Sequence, residues 1–258
     1  MNAVTTTSAG RMAALARAEL TLLGRSRSAL VGAVFVPLVL PFSVRSAAER
    51  MNLEDIGLTV GLVVLPASIG FALLFAVYAT LIGVFVGRRE QLVLKRLRTG
   101  EPRDAEILAG AALPAVVLGL AQCLLLAGAC GAVLDVPAPR AVHLVAAGLV
   151  AGLVLCVLLA AVTAGFTRTT ESAQVTSLPL LLVSMVGSGL LVPPELLPNR
   201  LAAVCELLPL TPVITLVRGG WTGDLSTVDA LRAVAVALAW LGLGVFAVRR
   251  WFRWEPRR

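Results

Sequence analysis

The sequence predicts an all-α, polytopic membrane protein with six transmembrane helices. It also predicts an N-terminal interfacial helix, and short re-entrant helices on the outer face between the fifth and sixth spans. Three observations predict this. Of 258 residues, 58% are hydrophobic and 14% charged, with a mean hydropathy of +0.92. Soluble domains carry roughly 25% charged residues, and one soluble core could not hide this much apolar surface. The apolar residues fall into runs that approach the roughly 20 residues a helix needs to cross a bilayer. The basic residues sit between those runs, where they set topology.

Met1 to Gly10 is polar and uncharged, without the basic start and short apolar core of a removable signal peptide, so none is expected. Over residues 11–27, Met12, Leu15, Ala16, Leu20 and Leu23 share one helical side, and Arg17, Thr21, Arg25 and Ser28 lie largely on the other. Such a helix suits the membrane interface, with arginines toward headgroups; an ordinary cytoplasmic helix is the alternative.

The first span runs from Ser28 to Val44 and carries Pro37 and Pro41, which predict a kinked outer end. The second runs from Leu58 to Gly87, the third from Ile107 to Leu134, and the fourth from Val142 to Phe166. The fifth covers Ala173 to Val192 and the sixth Ala233 to Val248. Leu201 to Gly220 is apolar enough to invite a seventh span, but Pro209, Pro212 and Glu206 interrupt it. A charge near a helix centre costs about 2.5–3.5 kcal/mol on insertion scales. A seventh span would also put the C-terminal arginines outside. The stretch is therefore read as short re-entrant or surface helices on the outer face.

Orientation follows from Arg and Lys. One alternating set of segments holds Arg11, Arg17, Arg25, Arg27, Arg88, Arg89, Lys95, Arg96, Arg98, Arg103, Arg168, Arg249, Arg250, Arg253, Arg257 and Arg258. The other holds Arg45, Arg50, Arg140, Arg200, Arg218 and Arg232. The richer set is expected on the cytoplasmic side, which places both termini there, in an inner-membrane protein. With basic residues so placed, the net charge of +7 speaks for topology and lipid contact, not for nucleic acid.

Several chemistries are missing. The single histidine, His143, sits at the outer end of the fourth span, so no His-based metal pair or catalytic triad is expected. The lone lysine, Lys95, follows Val93-Leu94 and belongs to no phosphate-binding GxxxxGK[ST] loop. Cys123, Cys130 and Cys156 lie in apolar runs and Cys205 in a late loop, with no metal spacing. The spans hold almost no ionisable groups, unlike those of ion-coupled carriers. They offer neutral ones instead: Ser68, Tyr78 and Thr80 in the second, Gln122 in the third, Thr163 in the fourth. In the fifth, Gln174, Ser177, Leu181, Ser184 and Ser188 recur at three and four, with Gly187 and Gly189 at the outer end. A polar stripe of this kind faces another helix or a watery path.

The most informative segment is Arg88-Arg89-Glu90-Gln91-Leu92-Val93-Leu94-Lys95-Arg96-Leu97-Arg98-Thr99-Gly100-Glu101-Pro102. It reads as a short charged helix with a rib at Leu94 and Leu97, ended by Gly100 and Pro102. Such a helix suits docking into a groove on another protein; a solvated loop that only enforces topology is the alternative. Together with Leu191-Val192-Pro193-Pro194-Glu195-Leu196-Leu197-Pro198 and Leu207-Leu208-Pro209-Leu210-Thr211-Pro212, this loop gives the chain a family likeness. Along nearly its whole length it resembles the membrane subunit of an ATP-binding-cassette exporter, in the ABC-2 membrane family of prokaryotic drug and antibiotic permeases.

The resemblance implies a single transmembrane domain over 1–258, with 88–104 as the coupling loop and 193–228 as the outer connection. It implies that Glu90, Leu94, Lys95, Arg96 and Leu97 couple the chain to a separate ATPase subunit. ATP and Mg2+ would sit on that partner, leaving no cofactor, metal or catalytic site in this chain. Many relatives have a Gly-Thr pair before the leucine where this chain has Leu92-Val93. The resemblance further implies a second permease copy, identical or a sister. Between the halves would run a path lined by Ser68, Tyr78 and Thr80 facing Gln174, Ser177, Ser184 and Ser188. An apolar path with neutral hydrogen-bonding groups suits an amphiphilic or lipophilic cargo, drug- or antibiotic-like. The rival functions are a membrane immunity or sensory protein that binds without transporting, a membrane-embedded enzyme and a self-energised carrier.

Overall fold

The computed structural model describes residues 27–50, 59–99, 103–191 and 198–255. The interfacial helix expected over 11–27 lies outside them apart from Arg27, as do Gly100, Pro102 and the proline-rich residues 192–197. The described residues form helices α1 (Arg27–Ala48), α2 (Val60–Glu90), α3 (Val93–Arg98), α4 (Asp104–Leu134) and α5 (Val142–Phe166). They continue with α6 (Thr170–Gly187), α7 (Asn199–Cys205), α8 (Thr211–Thr222) and α9 (Thr227–Trp251). Most of each predicted apolar run that lies within the described residues is helical, the fifth only as far as Gly187, and α5 has the predicted limits. α1 continues through Pro37 and Pro41 to Ala48.

Among the described residues, four helices, α2, α4, α5 and α9, are long and apolar enough to cross a membrane. The expected six is a larger number, for a reason visible in the residues. α6 is 18 residues long and opens on Thr170, Glu171, Gln174 and Thr176, so its polar first turns dilute its hydropathy. In α1 the described apolar part is Leu38–Ala48.

The helix starts follow from their caps. Thr59 opens α2 by accepting from the Leu62 amide, and Ser226 opens α9 by accepting from the Asp229 amide. Thr169 and Ser172 form a reciprocal capping box at α6. α4 ends on Asp135 at φ 50° and α8 on Gly223 at φ 75°, residue types that tolerate the left-handed region.

α2 is the axis of the bundle. It is apolar all round and buried along most of its length, as a helix surrounded by others must be. Ala72–Ala79 within it is π-helical, a local widening with no signature in the sequence. Outside, α4, α5, α6 and α9 expose large apolar side chains, among them Leu124, Leu125, Val150, Leu182 and Phe246. Water would not tolerate so much apolar surface; lipid would.

The described part of the connection expected on the outer face, 198–228, holds two short helices. α8, at 12 residues or about 18 Å, is too short to cross a ~30 Å hydrocarbon core. Nor is it a surface helix: Val213, Ile214, Leu216 and Val217 are buried, and it packs closely along α5. Small residues permit that approach. A Cβ added at Gly148 would lie 3.1 Å from the Val213 carbonyl oxygen, and one at Gly152 would lie 2.8 Å from a Val213 methyl. α7 stays on the surface, with Leu201 and Val204 exposed.

Candidate coupling surface and polar seam

Two ends of α2 carry the features of interest. With 31 residues it spans about 46 Å. Leu62, Val63 and Pro66 at its start border a cavity, and Arg89 and Glu90 at its finish meet the turn between α5 and α6.

At the finish, α2 stops because Leu92 takes the left-handed conformation (φ 59°, ψ 13°), which reverses the chain into α3. Leu94 is 1% exposed and anchors α3 against the bundle. Lys95 and Arg96 lie on the opposite, exposed face, and Leu97 is half-buried. Lys95 pairs with Glu255 at 3.0 Å, and Arg98 pairs with Asp104 at 3.2 Å. The Arg98 guanidinium also lies 5.0 Å from the centroid of the Trp254 ring, within cation–π range. Phe252 ties this C-terminal segment to α2 through an edge contact with Phe85. Of the five residues expected to couple, Lys95, Arg96 and part of Leu97 form an outward face, whereas Leu94 faces inward. Glu90 accepts from Thr170 Oγ1 at 3.1 Å and more distantly from the Thr170 amide.

The hydroxyls of Ser68, Tyr78, Thr80 and Thr163 are satisfied inside the chain. Thr163 Oγ1 donates to the Leu159 carbonyl at 2.8 Å, so the Tyr78 hydroxyl 3.2 Å away donates to it. Ser68 donates to Val64 at 2.6 Å within its own helix. Thr80 donates to Phe75, five residues back, a reach that follows from the π segment. Ser177, Leu181 and Ser184 in α6, with Ser188 just after it, form a buried stripe, but Gln174 at its head is exposed. The structure does not bring the α2 hydroxyls onto that stripe. Tyr78 meets α5, and Ser68 and Thr80 turn back on α2.

The cavity at the other end has a volume of about 320 Å³. Its lining mixes Pro66 of α2 and Ser188 after α6 with Glu206, Thr211, Arg218 and Asp224. Thr211 Oγ1 lies 2.6 Å from the Cys205 carbonyl, to which it donates, and 3.1 Å from Ser188 Oγ. Glu206 is also bridged to Arg232 at 3.0 Å. Among the described residues, no three His, Cys, Asp or Glu side chains meet where they could hold a metal. Cys123, Cys130 and Cys156 are buried free thiols.

The sequence profile of the ABC-2 type transporter family matches residues 11–221, which is most of the chain. The chain belongs to the ABC-2 type transporter family. This permease is therefore a multi-pass membrane protein and a transport subunit, and its partner is an ABC ATPase. No curated protein matches its sequence closely enough to count as a relative.

Sequence reasoning missed four parts of the permease. Arg89 is indistinguishable from Arg88 in a charged run, yet it is 1% exposed. Thr170, Trp254 and Glu255 gain their roles only from distant partners, 80 and more positions away in the chain. The π segment has no residue signature. The Gly148–Gly152 pair was legible as a small-residue motif but was not singled out.

Proposed function

We propose that this permease exports an amphiphilic or lipophilic, drug- or antibiotic-like cargo across the cytoplasmic membrane, using ATP hydrolysed by the partner ATPase. Its termini lie in the cytoplasm, α1 and α6 complete a set of six spans, and two permease copies assemble. The outward face of α3, with Lys95, Arg96 and Leu97, seats on the ATPase, while Leu94 holds that helix in place. The cargo moves along the buried stripe of Ser177 and Ser184 in α6 and the following Ser188, which opens at the 320 Å³ cavity.

The observation that carries this reading is the geometry of α2. One continuous helix has the cationic, partner-sized face of α3 at one end and an amphipathic cavity at the other. A neutral, hydroxyl-bearing seam gives a small ion no compensating charge, so a cargo with its own apolar bulk fits it better.

The test is co-purification of the tagged permease from its native membranes in mild detergent, beside Lys95→Ala/Arg96→Ala. Recovery of a P-loop ATPase with wild type, and its loss from the double variant, supports both the reading and the docking face. Absence of any ATPase from an intact membrane dimer removes the energy source and favours an immunity or sensory role. For the seam, alanine at Gln174, Ser177, Ser184 and Ser188 together should abolish export and cargo-stimulated ATPase activity. Unchanged values would remove these residues from the path.

A further inference from the structure

The adjacent residues Arg89 and Glu90 grip two helix ends at once. The Arg89 guanidinium donates to the Ala164 carbonyl at 2.7 Å and to the carbonyls of Thr167 and Arg168. Ala164 is in the last turn of α5, Thr167 caps it and Arg168 follows, where the helix's C-terminal carbonyls have no partners within the helix. Glu90 takes the hydroxyl and amide of Thr170, the first residue of α6. A cation thus sits on the negative end of one helix dipole, and an anion sits on the positive end of the next. The capping box between Thr169 and Ser172 stiffens the α6 end that Glu90 holds. Only Gln91 and Leu92 separate the grip from the first residue of α3.

We propose that Arg89 and Glu90 are positioning residues that carry displacement of α3 into the α5–α6 turn, so that α6 moves with the coupling helix. Glu90 then works inside the permease and is not an ATPase contact. The inference rests on the permease reading above and assigns the link between the docking face and the seam. Arg89 is the fixed pivot, since a buried guanidinium cannot leave its three carbonyls without exposing them unpaired. Glu90, exposed and held by a single residue, sets how tightly α6 follows.

The test uses the complex of the permease with its co-purifying ATPase in lipid nanodiscs. Amide hydrogen exchange across residues 170–178 is read without nucleotide and with ATP, Mg2+ and orthovanadate. Coupling free energies of 1–3 kcal/mol correspond to roughly 5–150-fold, so nucleotide should change exchange there by about fivefold or more in wild type. Glu90→Ala and Thr170→Val, both at exposed positions that should not compromise folding, should each cut that change below about twofold with the ATPase still bound. Glu90→Gln keeps an acceptor for Thr170 and should retain the response, which a role through bulk charge alone would not. A full nucleotide response in Glu90→Ala with the ATPase bound overturns the inference and leaves the permease reading standing. Loss of the ATPase from Glu90→Ala also overturns it, because Glu90 would then be a docking residue. A wild-type permease that binds no ATPase removes the reading and this inference together.

Discussion

At Leu92 a leucine holds a conformation that favours glycine. A left-handed φ costs an ordinary L-residue roughly 1–2 kcal/mol, and here nothing in the side chain compensates, since Leu92 is 40% exposed. Leu92→Gly should therefore raise stability by about 1 kcal/mol, read as a higher midpoint of thermal unfolding in detergent. Arg89 gives the opposite case. Arg89→Met keeps the bulk but strands the Ala164 and Thr167 carbonyls, and hydrogen bonds to charged groups are worth about 1.5–3 kcal/mol each. The variant should lower the same midpoint far more than Arg88→Met, whose side chain reaches Gln91 at the surface. Equal losses from the two variants would deny Arg89 its special place. Neither position was legible in the sequence. φ is set by the chain reversal, and the burial of Arg89 is set by carbonyls 75 residues away.

The long helices were legible, because each is a run of mostly apolar residues bounded by polar or charged ones. What the runs could not show is which helices touch. α8 reads as a broken, proline-bearing stretch, yet it lies buried along α5 because Gly148, Gly152 and Gly220 let two backbones approach. Gly148→Leu should force α8 away, at a cost of about 1–3 kcal/mol for overpacking. The change should appear as faster exchange of the α8 amides while those of α4 stay protected. The polar seam was half legible. The three-and-four spacing in α6 placed Ser177, Ser184 and Ser188 correctly on one buried face. Gln174 is exposed although its neighbour Ala173 is buried, because Ala173, four residues before Ser177, takes the packed position on that face.

Across the whole molecule, the C-terminal segment closes on the coupling end. Two contacts fasten it to α3: the Lys95–Glu255 ion pair, more than half exposed on both sides, and the Trp254 ring under Arg98. Exposed ion pairs contribute little, so the ring should matter more. Trp254→Ala should therefore speed tryptic cleavage around Lys95 to Arg98 in the detergent-solubilised permease, whereas Glu255→Gln should leave it nearly unchanged. Composition announced a membrane protein because the bilayer tolerates the exposed faces of α4 and α9. It could not announce that residues 252–255 return to α2 and α3, since such contacts join segments with no shared pattern.

The grip of Arg89 also fixes an order of events during synthesis. α2 leaves the ribosome long before Ala164 and Thr167 exist, and translation proceeds at about 5–20 residues per second. For several seconds the nascent chain must keep a guanidinium at the membrane surface with none of its final acceptors. The bundle end cannot set until α5 arrives, so a chain truncated ahead of Ala164 would lack the piece that locks α2.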